Sequence, residues 1–155
     1  SKGTLAGRIE IINSRFRNIT GAILELDKET DDLGLYNAEY VTIADSNFEN
    51  IGKALAVLYR VGTDESTFGP HFSLRDSNLA NVGKNKRNKS GASVSLLGVQ
   101  LAEVKHAEFV ESAGIRVMLT VGGPVTRIVG NTFNSTPAPE VLNGEAVLND
   151  NSVIQ

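Results

Sequence analysis

Two short acidic segments of the chain are candidates for holding a metal ion. Asp31 and Asp32 lie in the first, and Asp64 and Glu65 lie in the second, 33 residues further on. Four carboxylates brought close together repel one another unless bases or a cation compensate, and clustered oxygen ligands suit Ca²⁺. The spacing matches no defined calcium loop, so a solvated cluster paired with neighbouring basic side chains is the alternative to a calcium site.

A basic segment is a candidate for attracting an acidic polymer. It places four positive charges within six residues, with no apolar residue among them: Lys84, Lys86, Arg87 and Lys89. This pattern predicts a protruding loop, and a polyanion such as a uronic-acid polysaccharide would be drawn to it. A loop that merely keeps the protein soluble accounts for the same residues equally well.

Two further residues are candidates for contacting a sugar or its carboxylate. Arg60 and His71 lie on either side of a polar segment that ends in Gly69-Pro70, a turn signal. An arginine can neutralise a carboxylate, and a histidine can act as a base near neutral pH. The structural alternative for His71 is an ordinary histidine at the edge of a strand. A catalytic set built from these residues and the basic segment requires all of them on one face of the fold.

These segments interrupt a chain that repeats itself. Three copies, at residues 9–29, 40–61 and 71–99, each contain an alternating run, a polar pair, a second short run and a third apolar run. Two weaker copies follow, and the equivalent apolar positions are Phe16, Phe48, Leu79, Phe109 and Phe133. The first three of these lie 32 and 31 residues apart. A period in this range, with three strand-like runs and no helical pattern, is typical of a solenoid of β-coils.

An all-β fold accounts for the repeat: a right-handed parallel β-helix of about five coils with three short strands each, as a single domain over residues 1–155. The apolar series should then point inward and stack as a column. Asn18, Asn50 and Asn81 should form a second column at a corner, because Asn tolerates left-handed backbone angles and can bond the Asn one coil above. An antiparallel sandwich would not require the same corner residue in every repeat.

Each end of such a stack leaves unpaired strand edges. No amphipathic helix precedes the first repeat, so we expect another domain, chain or coil stack to cover that end. The alternative is that residues 1–7 fold over it. At the other end, residues 148–154 are predicted to begin one more coil that caps the stack.

Composition limits the classes of partner. Acidic residues outnumber basic ones by 18 to 15, for a net charge of -3, which gives no support to a nucleic-acid binder. No apolar run approaches the roughly 18 residues that a membrane span needs. Cysteine is absent, so the sequence predicts neither disulfides nor thiol chemistry, as in a cytoplasmic protein and equally in an exported bacterial one.

Several strings carry a resemblance to a known family. They are Tyr59-Arg60 and the segments 36–43 (YNAEYVTI), 47–52 (NFENIG), 62–72 (GTDESTFGPHF) and 88–93 (NKSGAS). They resemble the C-terminal β-helix domain of two-domain alginate lyases, in the polysaccharide lyase family that includes chondroitinase B. The resemblance covers most of the chain, and segment 62–72 is its most specific part.

This resemblance implies an auxiliary domain. The family eliminates across the glycosidic bond of a uronic-acid polymer, where a cation or Arg neutralises the carboxylate and a Lys removes the C5 proton. Those residues, and any Ca²⁺, lie in the N-terminal domain of the family, so the resemblance assigns no catalytic residue and no cofactor to this chain. It implies an N-terminal catalytic β-helix as partner, alginate or a related polyuronate as ligand, and a bacterial periplasmic or secreted location. It also leaves room for a homodimer, and it implies neither a nucleic-acid nor a membrane partner.

Two alternatives stay open at this point. The chain could itself be a lyase, with Arg60, His71 and the basic segment around a substrate carboxylate. It could also be a non-enzymatic β-helix that binds carbohydrate or serves as a scaffold.

Overall fold

A computed structural model describes residues 6–29, 38–60, 70–118, 125–142 and 144–155. Within these ranges the chain forms short strands joined by turns and loops, and no helix. The described residues therefore include no helix long and apolar enough to cross a membrane.

The strands follow one another as five coils of three strands, and a sixth coil begins at the C-terminal end. The first three coils contain β1 (Ala6–Ile12), β2 (Arg15–Ile19), β3 (Leu24–Glu29), β4 (Ala38–Ala44), β5 (Asn47–Ile51), β6 (Ala56–Arg60), β7 (His71–Arg75), β8 (Asn78–Val82) and β9 (Val94–Leu97). The remaining coils contain β10 (Leu101–Lys105), β11 (Glu108–Val110), β12 (Ile115–Met118), β13 (Val125–Val129), β14 (Thr132–Asn134), β15 (Glu140–Val141), β16 (Glu145–Val147) and β17 (Ser152–Ile154).

Equivalent strands of successive coils form three sheets. The first strands of the coils make sheet A, the second strands make sheet B and the third strands make sheet C. Each strand pairs in parallel with its equivalent one coil away. The predicted parallel β-helix, with one coil per sequence repeat, is thereby confirmed.

Apolar side chains of successive coils stack inside the β-helix, as their spacing predicted; four of the five are phenylalanines, and we call the series the phenylalanine column. Phe16 lies in register with Phe48, Phe48 with Leu79, and the series continues through Phe109 to Phe133. The rings of Phe16 and Phe48 lie 5.4 Å apart, and those of Phe109 and Phe133 lie 4.9 Å apart. From Phe48 onward each member is at most 1% exposed. This column is therefore the centre of the apolar core.

The predicted asparagine corner is also confirmed. Asn18, Asn50 and Asn81 have φ angles of 55°, 55° and 53°, in the left-handed region that a side chain usually disfavours. Asn50 donates from Nδ2 to Oδ1 of Asn18, and Asn81 donates to Oδ1 of Asn50, each across 3.0 Å. The ladder fixes the corner that leads from sheet B to sheet C.

The first coil is less buried than the second. Ile9, Ile11, Phe16 and Ile19 remain partly exposed. The residues that stack on them in the second coil are all at most 1% exposed. Within the described part of the chain, no strand pairs with the free edges of the first coil. This end of the core is thus incompletely covered by the residues that the structure describes.

One more coil does begin at the C-terminal end, although it starts at Glu145, three residues earlier than predicted. Val153 lies in register with Phe133, which is 0% exposed. Val153 and Ile154 are themselves 49% and 51% exposed. The sixth coil therefore covers the phenylalanine column but leaves its own apolar side chains open.

Candidate functional site

The predicted basic segment forms a loop between β8 and β9, where the chain turns from sheet B to sheet C. We call residues 83–92 the basic loop. The Nδ2 of Asn88 donates to the carbonyl oxygens of Gly83, at 2.7 Å, and Ala92, at 2.9 Å. Ser90 donates from Oγ to Oδ1 of Asn88 at 2.7 Å. One side chain thus ties together both ends of the loop.

Further hydrogen bonds give the basic loop a defined shape. The backbone N–H of Arg87 bonds Oδ1 of Asn85 at 2.9 Å, and the N–H of Asn88 bonds the carbonyl of Asn85 at 2.8 Å. Asn85 itself donates from its backbone to the carbonyl of Gly52, in the preceding coil, at 3.1 Å. The loop is therefore built on the coil below it, and its basic side chains project from a fixed base.

The basic side chains point to two different sides of the loop. Lys84 lines an open depression of about 450 Å³ beside the asparagine ladder. Arg87 and Lys89 line a second depression, of about 180 Å³, against the outward face of sheet C. Lys86 is exposed and lines neither of these two depressions. The four predicted residues therefore do not act as one patch.

The second depression, which we call the sheet C groove, combines positive charge with an aromatic ring. Its chemistry-bearing side chains are Glu25, Lys53, Tyr59, Arg87 and Lys89. Tyr59 faces outward because residues alternate along β6, where Leu58 faces the core. The hydroxyl of Tyr59 lies 3.0 Å from Oγ of Ser95, in the next coil, which fixes the direction of the ring.

His71 lies at the start of β7, as predicted, on the outward face of sheet A. It stands in register between Tyr40 and Leu101. Its ring lies 5.2 Å from that of Tyr40, and its Nε2 lies 3.1 Å from Oε1 of Gln100. The guanidinium carbon of Arg8 lies 5.5 Å from the centre of the Tyr40 ring. His71 therefore belongs to a row of outward-facing side chains on sheet A, together with Arg8 and Tyr40.

The structure does not bring the hypothetical catalytic set together. His71 lies on sheet A, whereas Arg87 and Lys89 face sheet C and Lys84 faces the asparagine ladder. Arg60 ends β6, opposite Glu29 in the register, and its side chain lies outside the described part of the structure. The catalytic alternative required His71 and the basic segment to share one face, and the structure does not meet this requirement because the chain turns through a corner between them.

The predicted calcium ligands cannot be placed. Asp31, Asp32, Asp64 and Glu65 lie outside the described residues, so the metal site stays a prediction. Among the residues that the structure describes, no group of three or more His, Asp or Glu side chains is placed to hold a metal ion.

Sequence reasoning missed Lys53, Tyr59 and Glu25 as members of a site. A signal for Lys53 was available, because Gly52-Lys53 and Gly83-Lys84 occupy the same place in successive repeats. The outward alternation of Val57 and Tyr59 in β6 was a second signal. No pattern in the sequence indicated that the basic loop would turn its later half toward sheet C.

Comparison with known proteins places the chain among polysaccharide lyases. No protein-family model and no curated protein matches it. The solved structure of the PL6 family alginate lyase AlyGC matches at 46% identity and a TM-score of 0.90, over 97% of this chain and 22% of that chain. A mutant of AlyGC matches at 47% identity, with the same TM-score and the same coverage. The chain thus spans about 22% of the length of these solved proteins.

Such identity over almost the whole chain, on the same fold, cannot arise from β-helix geometry alone, because that geometry constrains only core and corner positions. The chain therefore corresponds to a β-helix domain of the longer PL6 family alginate lyase AlyGC.

Proposed function

We propose that the chain is an auxiliary, C-terminal β-helix domain of a lyase that cleaves alginate by β-elimination. One observation carries this proposal: the chain matches AlyGC at 46% identity but accounts for only 22% of the AlyGC chain. The remaining part of such a protein is large enough to hold a separate catalytic domain. The domain would support that catalytic domain and help to bind the polymer.

The chemistry of β-elimination supports an auxiliary role over a catalytic one. The reaction needs a group that neutralises the substrate carboxylate and a base within hydrogen-bond reach of the C5 proton. His71, the base considered from the sequence, lies on sheet A and contacts Gln100. Arg87 and Lys89 lie at another corner of the coil. Groups on different sheets of a β-helix face different directions, which argues against their acting on one sugar unit.

The described residues leave the end of the first coil incompletely covered, and this supports a docking role. Ile9, Ile11 and Phe16 would be buried fully if another coil or domain stacked on them, as their equivalents one coil later are. Burial of apolar surface contributes about 25 cal/mol per Å², and solenoid ends generally require a cap. We assign the catalytic domain as the body that covers this end.

The location that we propose for the protein rests on the proposed polymer ligand. A uronic-acid polysaccharide is too large and too charged to enter a cell unaided, so we propose a bacterial periplasmic or secreted location. Ca²⁺, if the parent enzyme uses it, would be held by the catalytic domain. Dimerisation of the domain stays a prediction.

A domain exchange tests the proposal. AlyGC in which this chain replaces the matching 22% should cleave alginate, because the two segments share 46% identity and the same fold, with a TM-score of 0.90. AlyGC that lacks the segment should unfold at a lower temperature. Full activity and unchanged thermal stability of the shortened enzyme would contradict a supporting role.

A further inference from the structure

We propose that the sheet C groove is a binding subsite for one carboxylated sugar unit of a polyuronate chain. The identity of the polymer rests on the proposed function. The site itself rests on the arrangement of Lys53, Tyr59, Arg87 and Lys89, which the preceding comparisons do not assign.

The groove concentrates positive charge that the described protein does not neutralise. Lys53, Arg87 and Lys89 line it together with a single carboxylate, that of Glu25. Among the described residues, none of the three basic side chains forms an ion pair. Cations that converge on a concave surface attract an anion more strongly than scattered ones do. A sugar carboxylate can receive a paired hydrogen bond from the fork of Arg87 and a point charge from a lysine.

An aromatic ring supplies the second element of a sugar site. Tyr59 is half-buried beside Val57, which is 7% exposed, so an apolar surface forms part of the groove wall. The contact between the Tyr59 hydroxyl and Ser95 holds the ring in place. A ring fixed in this way offers apolar contact area at little entropic cost. Glu25 can accept hydrogen bonds from sugar hydroxyls.

The groove is largely preformed. Asn88 closes the base of the basic loop through two hydrogen bonds, and Asn85 ties the loop to the preceding coil. The guanidinium of Arg116, from the following coil, donates to the carbonyl of Ser90 at 3.4 Å. Because the loop is held from both neighbouring coils, little ordering is needed when a ligand binds.

The size of the groove suits contact with one sugar unit of a longer chain. Its volume of about 180 Å³ is below the ~300–1,000 Å³ of pockets that enclose a drug-sized ligand. The larger depression beside the asparagine ladder is a poorer candidate, because Lys84 is its only basic side chain and its amides bond one another.

Two double variants test the site with the same change in charge. Arg87→Gln with Lys89→Gln removes two cations that line the groove, and Lys84→Gln with Lys86→Gln removes two cations of the same loop that do not line it. Affinity for a purified tetrauronate, measured by calorimetric titration at low salt, should fall at least about tenfold in the first variant. In the second it should stay within about threefold, because only long-range attraction is lost.

Tyr59 gives an independent readout. Tyr59→Ala should weaken tetrauronate binding about tenfold, whereas Tyr59→Phe, which retains the ring, should bind within about threefold of the unmodified chain. A neutral tetrasaccharide should not bind. Circular dichroism and thermal unfolding of each variant establish that the fold is retained.

Three outcomes would overturn the subsite: equal losses in the two double variants, unchanged affinity of Tyr59→Ala, or no binding of tetrauronate by the unmodified chain. Each is distinct from failure of the proposed function, which the domain exchange in AlyGC tests through cleavage. An active exchanged enzyme whose domain binds no tetrauronate would remove the subsite and leave the auxiliary role standing.

Discussion

The Nδ2 of Asn81 donates to Oδ1 of Asn50 across 3.0 Å, although the two residues are 31 positions apart in the sequence. The same bond joins Asn50 to Asn18 one coil earlier. Each coil places the same residue at the same corner, where the backbone is left-handed. The side chains of these residues therefore form a continuous ladder of hydrogen bonds along the stack. Sites on this fold are built in the same way, from side chains that successive coils bring to one face.

The middle of the ladder should be sensitive to substitution. Asn50→Ala removes both ladder bonds and leaves a β-carbon in the left-handed region, so we expect a loss of about 1–3 kcal/mol in the free energy of unfolding. Asn50→Gly removes the same bonds but relieves the backbone, and should lose less. Urea denaturation of both variants measures the difference. Equal stability of Asn50→Ala and the unmodified chain would contradict the role of the ladder.

Replacing a phenylalanine of the column by alanine should lower the free energy of unfolding most in the interior coils. Phe109 is 0% exposed and stacks on Phe133, so Phe109→Ala should destabilise the protein by about 3–5 kcal/mol. Phe16→Ala, at the partly exposed first coil, serves as the matched control and should be milder in the isolated chain. Chemical denaturation compares the two, and a larger loss at Phe16 would argue against an open first coil.

Two glycines in the basic loop should differ in their tolerance of alanine. Gly83 has φ +83°, and a β-carbon there would lie 2.9 Å from the carbonyl oxygen of Ala92. Gly91 has φ +65°, with nothing within 4 Å of a β-carbon. Both alanines meet a backbone strain of about 1–2 kcal/mol, and only Gly83→Ala adds a clash. The midpoint temperature of thermal unfolding of Gly83→Ala should therefore be well below that of Gly91→Ala. The reverse order would be inconsistent with this loop geometry.

Substitution of Asn88 should weaken ligand binding although it changes no charged side chain. Asn88→Ala removes the two bonds that close the base of the basic loop, so the loop should be cleaved faster by trypsin, which cuts after Lys and Arg. Tetrauronate affinity should fall although Arg87 and Lys89 remain, because the loop must then be ordered on binding. Lys86→Ala, in the same loop, is the control for affinity. Unchanged affinity of Asn88→Ala would show that preorganisation is not needed.

The repeat made much of the fold predictable. Phe48 and Leu79, or Asn50 and Asn81, occupy fixed places in each copy because every coil meets the same steric requirements at its core and corner. The sheet C groove was not predictable in the same way. Glu25 and Tyr59 come from successive coils, and Arg87 joins them only because Asn88 folds the basic loop back toward sheet C. Spacing along the chain does not encode the direction in which a loop turns.

The separation of His71 from the basic segment has a similar cause. His71 and Lys84 are only 13 positions apart in the sequence, which made a shared site reasonable at that stage. Within those residues the chain completes β7, turns a corner and completes β8. Side chains on different sheets of a β-helix face different directions, so proximity in the sequence is no guide to a shared face.

The measurement that tests the account most directly is the incubation of the purified chain with alginate while the ultraviolet absorbance of the unsaturated elimination product is followed. Binding of tetrauronate to the same preparation is measured in parallel. The account predicts binding through the sheet C groove and no rise in absorbance from the chain alone. A rise that scales with the concentration of the chain would show that it carries its own catalytic groups, and would contradict an auxiliary role.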